Sequence, residues 1–313
     1  MDKKSKIILI SGPTASGKSN FAIKIAKKID GEIINADSMQ VYKKLKILTA
    51  RPKKLDQKKI KHHLYGTVEL NKNFSAGEWL KSAIKIIEDV KKRKKIPILV
   101  GGTGLYFQSL INGLVEIPEI PLRIRKKIRL LQKKDGQEKF YKRLLKIDPK
   151  VKEKINLNDT QRSIRAYEIK YYTKISMYDW VNKTKSKFNE NDFLKLYVDL
   201  KRDALIYKIS QRTKKMIEDG AVQEVKIFLK SKIKKDHSIK KVIGITELTQ
   251  YLKKQINLDK AEELISVKTR QYAKRQATWA RSRMTSWKKI NPINFNKYIK
   301  KLNKSSLKLD QLI

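Results

Sequence analysis

The sequence predicts an α/β fold, a parallel sheet with helices on both faces, interrupted by an inserted helical domain. Three observations carry that expectation. A glycine-rich segment, Gly12-Pro13-Thr14-Ala15-Ser16-Gly17-Lys18-Ser19, sits between an apolar run and a helical pattern. Over the first hundred residues, apolar runs of strand length alternate with helix-period segments. Past Asn112 the apolar runs stop and helical patterning takes over.

Taken in order, Ile7-Ile8-Leu9-Ile10 reads as a short buried strand. Residues 20–29 read as the helix that follows the glycine-rich loop. Gly31-Glu32-Ile33-Ile34-Asn35-Ala36 is a second strand, ending at Asp37-Ser38. Residues 76–92 carry helical periodicity. Ile96-Pro97-Ile98-Leu99-Val100 is a third strand, ending in Gly101-Gly102-Thr103-Gly104. Pro118 and Pro121 mark a linker, and residues 123 to about 186 read as helices. Residues 194–200 look like a strand again, followed by more helices. The expected organisation is a core of residues 1–113 and 191–290, a helical insertion at 114–190, and a polar, Lys-rich tail at 291–313 that frays.

Composition narrows the function. With 313 residues and 40% hydrophobic content, the chain can bury a core despite 34% charged residues. No run of 18 or more apolar residues is present, so no transmembrane helix is expected. The Met1-Asp2-Lys3-Lys4 start leaves no room for a signal peptide before the first strand. The absence of cysteine excludes disulfides and thiolate metal sites. A cytoplasmic protein without membrane attachment is expected. The formal net charge of +44 attracts polyanions. A Lys-, Ile- and Asn-rich composition of the kind AT-rich coding produces would also raise Lys on every solvated face. Local clustering favours nucleic acid: residues 269–283 interleave Arg270, Lys274, Arg275, Arg281 and Arg283 with Tyr272 and Trp279.

The loop at 12–19 fits the phosphate-binding pattern G-x-x-x-x-G-K-[ST] at every required position. Gly12 and Gly17 let successive N–H groups point inward, and the helix N-terminus adds partial positive charge. Lys18 reaches a terminal phosphate and Ser19 can ligate Mg²⁺, so ATP or another di- or triphosphate suits the loop. In open parallel sheets, ligands bind beyond the carboxyl ends of the strands. The loop, Asp37-Ser38 and residues 101–104 should therefore meet at one rim. Hydrolases of nucleoside triphosphates usually add an Asp at the end of a second strand to hold Mg²⁺. Here the third strand ends in Gly-Gly-Thr, and the acid is Asp37. It can partner Lys18 or Mg²⁺, or act as general base; its place facing the phosphates favours catalysis. Thr103 faces the same rim. Arg123 and Arg125 stand past the linker, and Gln161, Arg162 and Arg165 share a helical face. The adjacent His62 and His63 lack metal-ligand spacing.

The residues just named fall into a larger set. It comprises 12–19, Asp37-Ser38-Met39-Gln40-Val41-Tyr42-Lys43, Thr49-Ala50-Arg51-Pro52, His62-His63-Leu64, Gly101-Gly102-Thr103-Gly104-Leu105-Tyr106, Asn158-Asp159-Thr160-Gln161-Arg162 and Thr269-Arg270-Gln271-Tyr272-Ala273-Lys274-Arg275-Gln276. In order and spacing, from about residue 6 to residue 287, it resembles the tRNA dimethylallyltransferases, also called tRNA isopentenyltransferases. The resemblance implies a P-loop NTPase-like core with a helical insertion. It implies transfer of the dimethylallyl group of dimethylallyl diphosphate to N6 of the adenine 3′-adjacent to the anticodon, in tRNAs reading codons that begin with U. The implied catalytic residues are Asp37 as base, Thr103, Lys18 and Arg125. Gly12, Pro13, Thr14, Ala15, Ser16, Gly17, Lys18 and Ser19 would hold the diphosphate, with Mg²⁺ on Ser19. Contacts to the tRNA anticodon stem-loop would come from Asp37, Ser38, Met39, Gln40, Gln161, Arg162, Ser163, Ile164, Arg165, Arg270, Lys274 and Arg275. A monomer is expected. Leu48 stands where the family usually has Gly, Lys44 and Lys46 replace a usual Gly and Asp, and Ile245 and Thr246 replace an aromatic and a basic residue.

Two other readings compete. A P-loop kinase would need a lid-like Arg set close after a nucleotide core, which the chain lacks. A non-catalytic RNA-binding protein with a vestigial loop would not need Lys18, Ser19 and Asp37 intact.

Overall fold

The computed structural model describes residues 6–115, 117–182, 184–231, 233 and 237–301. The chain divides into two compact units. One takes residues up to Ile111 together with Phe188 onward; the other is Asn112–Lys187.

The first unit is built on β1 (Ile7–Ser11), whose five residues are all buried. A strand covered on both faces needs an unbroken apolar run, which Ile7-Ile8-Leu9-Ile10 supplies. After the loop come α1 (Lys18–Ile29), β2 (Gly31–Asn35), α2 (Lys54–Lys59), β3 (His62–His63), α3 (Ala76–Lys92), β4 (Ile96–Gly101) and α4 (Gly104–Asn112). Ser75 opens α3 with a capping box: its side chain accepts from the Glu78 N–H, and the Glu78 carboxylate accepts from the Ser75 N–H.

The helical unit contains α5 (Leu122–Ile147), α6 (Thr160–Thr173) and α7 (Met177–Asn182). Gly136, at φ +73°, breaks α5 into two segments. Tyr141, Leu144, Val151, Ile155 and Ala166 form this unit's own core.

The chain then returns to the sheet with β5 (Phe193–Val198), followed by α8 (Arg202–Glu218), α9 (Ala221–Leu229), α10 (Ile245–Leu252), α11 (Leu258–Arg283), β6 (Lys288–Ile290) and α12 (Phe295–Lys301). The strand order is β3-β2-β4-β1-β5-β6, and every pairing is parallel. Alternate side chains of β1 feed the two faces. Ile8 and Ile10 pack with Phe21, Ile25 and Ile98. Ile7 and Leu9 pack with Trp79, Ile87 and Phe107. A third apolar cluster joins residues 41–48 to α9, α10 and α11 through Tyr42, Leu48, Val225, Leu248 and Ile265.

Three features depart from the expected pattern. The strands β3 and β6 did not stand out, being two and three residues long. The described part of the expected tail is not frayed. Phe295, Tyr298 and Ile299 fall on one helical face and pack on the sheet core, with the Phe295 ring stacked on Phe21 at 4.1 Å. Residues 302–313 of that tail lie outside the described residues. The helical unit spans 112–187 rather than 114–190.

Candidate active site at the carboxyl rim of the sheet

β1, β2 and β4 all end at one rim, and the loops that follow them are in direct contact. The approach is close enough to dictate glycine: a Cβ on Gly101 would stand 2.0 Å from the Ala36 carbonyl oxygen. The Thr103 N–H donates to that same Ala36 oxygen at 3.2 Å. Thr103 Oγ1 accepts from the Ser38 N–H at 3.0 Å and lies 3.4 Å from Ser38 Oγ. Thr103 therefore ties the end of β4 to the segment that carries Asp37.

Asp37 is fixed from three sides. Its N–H donates to Asn35 Oδ1 at 2.9 Å, and its carbonyl accepts from Asn35 Nδ2 at 3.0 Å. One carboxylate oxygen accepts from the Met39 N–H at 2.9 Å. Gln40, beside it, donates from Nε2 to the Thr49 carbonyl at 2.8 Å.

The phosphate loop turns at Gly17, where φ is +91°, and α1 starts at Lys18. Lys18 Nζ donates to the Pro13 carbonyl at 3.1 Å. Burial pushes the Lys18 ammonium down to about 8; Asp37 opposes the shift and Arg212 adds to it. Arg212, from α8, donates from Nη1 to Thr14 Oγ1 at 2.9 Å. Burial lowers its pKa too, again opposed by Asp37. Two shielded cations thus face one carboxylate, and Ser16 Oγ is buried without a hydrogen-bond partner among the described residues. Such an arrangement favours an incoming anion. Burial first, and Asp37 second, hold the phenols of Tyr65, Tyr106 and Tyr272 well above the usual tyrosine range, so all three stay protonated.

Two cavities meet here. One, of about 310 Å³, has apolar walls from Met39, Leu48 and Ile265 and is also lined by Tyr272 and Arg275. The other, of about 1030 Å³, holds the phosphate loop, Arg51, Lys46 and Lys208. Thr14, Asp37, Thr49, Arg212 and Met216 line both. Asp37 therefore stands at the junction of a basic chamber and a smaller, more apolar one. Glu224 of α9 fixes the shared wall, accepting from the N–H groups of Lys46, Ile47 and Leu48 at 2.6–3.0 Å.

The other sequence-derived candidates distribute as follows. Arg270, Lys274 and Arg275 are exposed on α11. Gln161 and Arg162 are exposed on α6, and Arg162 pairs with Asp159 at 3.1 Å. Ile164 is half-buried. Ser163 is fully buried, its hydroxyl donating to the Asp159 carbonyl at 2.8 Å. Arg125 belongs to the helical unit, where it, Arg129 and Arg165 lie 3.5–3.7 Å from the buried carboxylate of Glu168. The histidines are engaged structurally: His63 Nε2 meets Glu32 at 2.6 Å, and His62 Nδ1 meets the Ile60 carbonyl at 2.6 Å. Sequence reasoning missed Arg212 and Glu224, which belong to no motif. It passed over Gln276, which stands inside one.

A phosphate loop at the rim of a parallel sheet, with a fixed carboxylate between two chambers, defines a group-transfer enzyme acting on a phosphorylated donor. The comparisons narrow this class. The family model described as IPP transferase matches residues 40–283. A tRNA dimethylallyltransferase of Pelagibacter ubique (strain HTCC1062) is 74% identical over the full length of both chains. One from Rickettsia massiliae (strain Mtu5) is 40% identical, covering 90% of this chain and 78% of the relative. Among solved structures, a eukaryotic dimethylallyltransferase acting on tRNA superposes with a TM-score of 0.80 at 31% identity, covering 92% of this chain and 74% of that one. The tRNA isopentenylpyrophosphate transferase of Bacillus halodurans gives 0.67 at 30% identity, covering 95% and 93%. The chain belongs to the IPP transferase family, and it is a prenyltransferase of the tRNA dimethylallyltransferase class with a P-loop NTPase-like fold.

Proposed function

We propose that this enzyme moves the dimethylallyl group of dimethylallyl diphosphate to the exocyclic N6 of the adenine 3′-adjacent to the anticodon. The acceptors are tRNAs that read codons beginning with U. The observation that carries the proposal is Asp37 at the junction of the two chambers. The basic chamber suits a diphosphate. The smaller one suits an allyl group and a flipped base, and Tyr272 in its lining offers a stacking face.

In the proposed reaction the N6 lone pair attacks C1 of the allyl group, and the C1–O bond breaks. The electron pair leaves with diphosphate. Lys18, Arg212 and the loop N–H groups stabilise the negative charge that builds there. Asp37 takes the N6 proton. No water attacks, so excluding it protects the reactive allyl centre.

Mg²⁺ fits the residues present. Ser19, at the N-terminus of α1 and lining the basic chamber, is a hard oxygen donor. A bound Mg²⁺ would neutralise diphosphate charge, with most of its remaining ligands from phosphate and water. The remaining assignments belong to the same proposal: Arg125 supporting catalysis or RNA contact, the basic residues of α6 and α11 contacting the anticodon stem-loop, and a cytoplasmic monomer. No helix among the described residues is long and apolar enough to cross a membrane.

The test is a mass spectrum of nucleosides from tRNA incubated with protein, Mg²⁺ and dimethylallyl diphosphate. A gain of one dimethylallyl group on adenosine is expected. Transfer of labelled phosphate from γ-labelled ATP, without prenylation, would refute the proposal in favour of a kinase.

A further inference from the structure

Helix α11 reaches the loops that follow β1 and β4 and lines the smaller chamber. Tyr272, Gln276 and Trp279 are spaced by four and three residues, so they share a face. Tyr272 lines the smaller chamber. Trp279 packs against Gly104 so closely that a Cβ there would stand 2.2 Å from its ring. Gln276 lies between these two and makes paired contacts with both strand-end loops. Its Oε1 accepts from the Thr14 N–H at 2.8 Å. Its Nε2 donates to the Gly102 carbonyl at 2.9 Å. A Cβ on Gly102 would meet that Nε2 at 2.1 Å, so the glycine is needed for the amide to lie there.

The consequence for the phosphate loop is specific. The Thr14 N–H is engaged by Gln276. Its hydroxyl is held by Arg212. Two helices, α8 and α11, thus hold the first turn of the loop. Meanwhile Arg270, Lys274 and Arg281, spaced by four and seven residues, form an exposed basic stripe along α11. That stripe suits RNA phosphates.

We propose that Gln276 is a positioning residue that couples RNA bound along α11 to the geometry of the phosphate loop. RNA that settles α11 in one position settles the Thr14 amide with it, and the loop then holds diphosphate more tightly. Coupling of this kind is reciprocal, so diphosphate also tightens RNA. The inference rests on the reading that RNA docks on the basic stripe of α11.

The experiment measures the affinity of Mg-pyrophosphate for the full chain, with and without a saturating anticodon stem-loop RNA. In the native protein RNA is expected to tighten pyrophosphate by at least about fivefold. In Gln276→Met, which keeps the volume but loses both hydrogen bonds, the ratio is expected to fall to within about twofold of unity. Affinity for each ligand alone should change much less. A purely structural glutamine would lower the thermal midpoint and weaken both ligands alone while leaving the ratio intact; that result overturns the proposal. A native protein that binds RNA without tightening pyrophosphate overturns it equally. Arg270→Ala with Lys274→Ala tests the underlying reading: unchanged RNA affinity in that double variant refutes docking on α11, whatever Gln276 does. Should Gln276→Met fail to fold, hydrogen exchange on the native protein decides. RNA alone must slow exchange of the amides at 14–17, and unchanged exchange there overturns the coupling.

Discussion

The two units of the chain use basic side chains in opposite ways. In the sheet unit, Lys18 and Arg212 are shielded, face a single carboxylate and have their pKa values lowered by burial. In the helical unit, Arg125, Arg129 and Arg165 share Glu168 with side chains 39–52% exposed and separations of 3.5–3.7 Å. Charge interactions strengthen as water is removed, so each shielded group acts strongly and has no substitute. The three arginines of the helical unit stand partly in water around one buried carboxylate, so each is partly screened and several together share one task. The difference predicts large single-residue effects at the rim and small, pooled effects on the helical unit.

The largest effect is expected at Asp37. Asp37→Ala should cost about 10²–10⁴-fold in single-turnover rate, as loss of a positioned base does, while leaving RNA affinity nearly unchanged. Near-normal turnover would remove Asp37 from the role of base and erase the contrast at its strongest point.

Lys18 sharpens the comparison through pH. Its ammonium titrates at about 8, so the charged form is lost as pH rises through that value. In the free enzyme this should appear as a fall in kcat/KM for the donor above about pH 8. RNA affinity measured without donor should not follow the same curve. Lys18→Ala should weaken donor binding and flatten that limb; a variant that loses RNA affinity alone would contradict the role.

Arg212→Lys is expected next in size. Lysine keeps the charge but lacks the planar fork with which Arg212, a residue lining both chambers, reaches Thr14 Oγ1. The donor KM should rise with charge unchanged, and RNA binding should be spared. Equal behaviour of the native protein and this variant would mean that charge alone, rather than the Thr14 hydrogen bond, explains Arg212.

The same contrast explains what the sequence revealed. The phosphate loop, Asp37 and the 101–104 loop were legible because each is a local pattern: a glycine spacing, or a residue at the end of an apolar run. The fully buried strands were legible for the same reason. Arg212 was not, because its meaning depends on Thr14, distant in the chain and adjacent only after folding. Glu224 is similar, since a carboxylate that collects three N–H groups of another segment looks like any helix-surface acid. The strand β3 consists of two histidines whose pairing with β2 is set by the neighbouring strand rather than by their own propensity. Helix α12 was hidden by lysines, although Phe295, Tyr298 and Ile299 carried its buried face. Ser163 illustrates the opposite error. The resemblance implied a tRNA contact for it together with its neighbours, but a helix turns about 100° per residue and carries it into the core.

The smallest effects test whether the helical unit recognises RNA or merely attracts it. With a net charge of +44, some RNA affinity follows from diffuse charge alone. Arg162→Ala with Arg165→Ala removes two guanidiniums from one helix, α6. Lys27→Ala with Lys28→Ala removes the same charge from the exposed end of α1. If α6 meets phosphates, its double variant should weaken binding of the anticodon stem-loop. The salt dependence of that binding should also flatten, by a slope of about 0.7 to 0.9 for every phosphate no longer neutralised. The α1 pair should leave the slope almost unchanged, because ions are displaced only where phosphate and cation meet. Donor affinity should be the same in both. Equal reductions from the two variants, with equal slopes, would mean that diffuse charge holds the RNA. The helical unit's arginines would then differ from the rim's in number only, and not in kind.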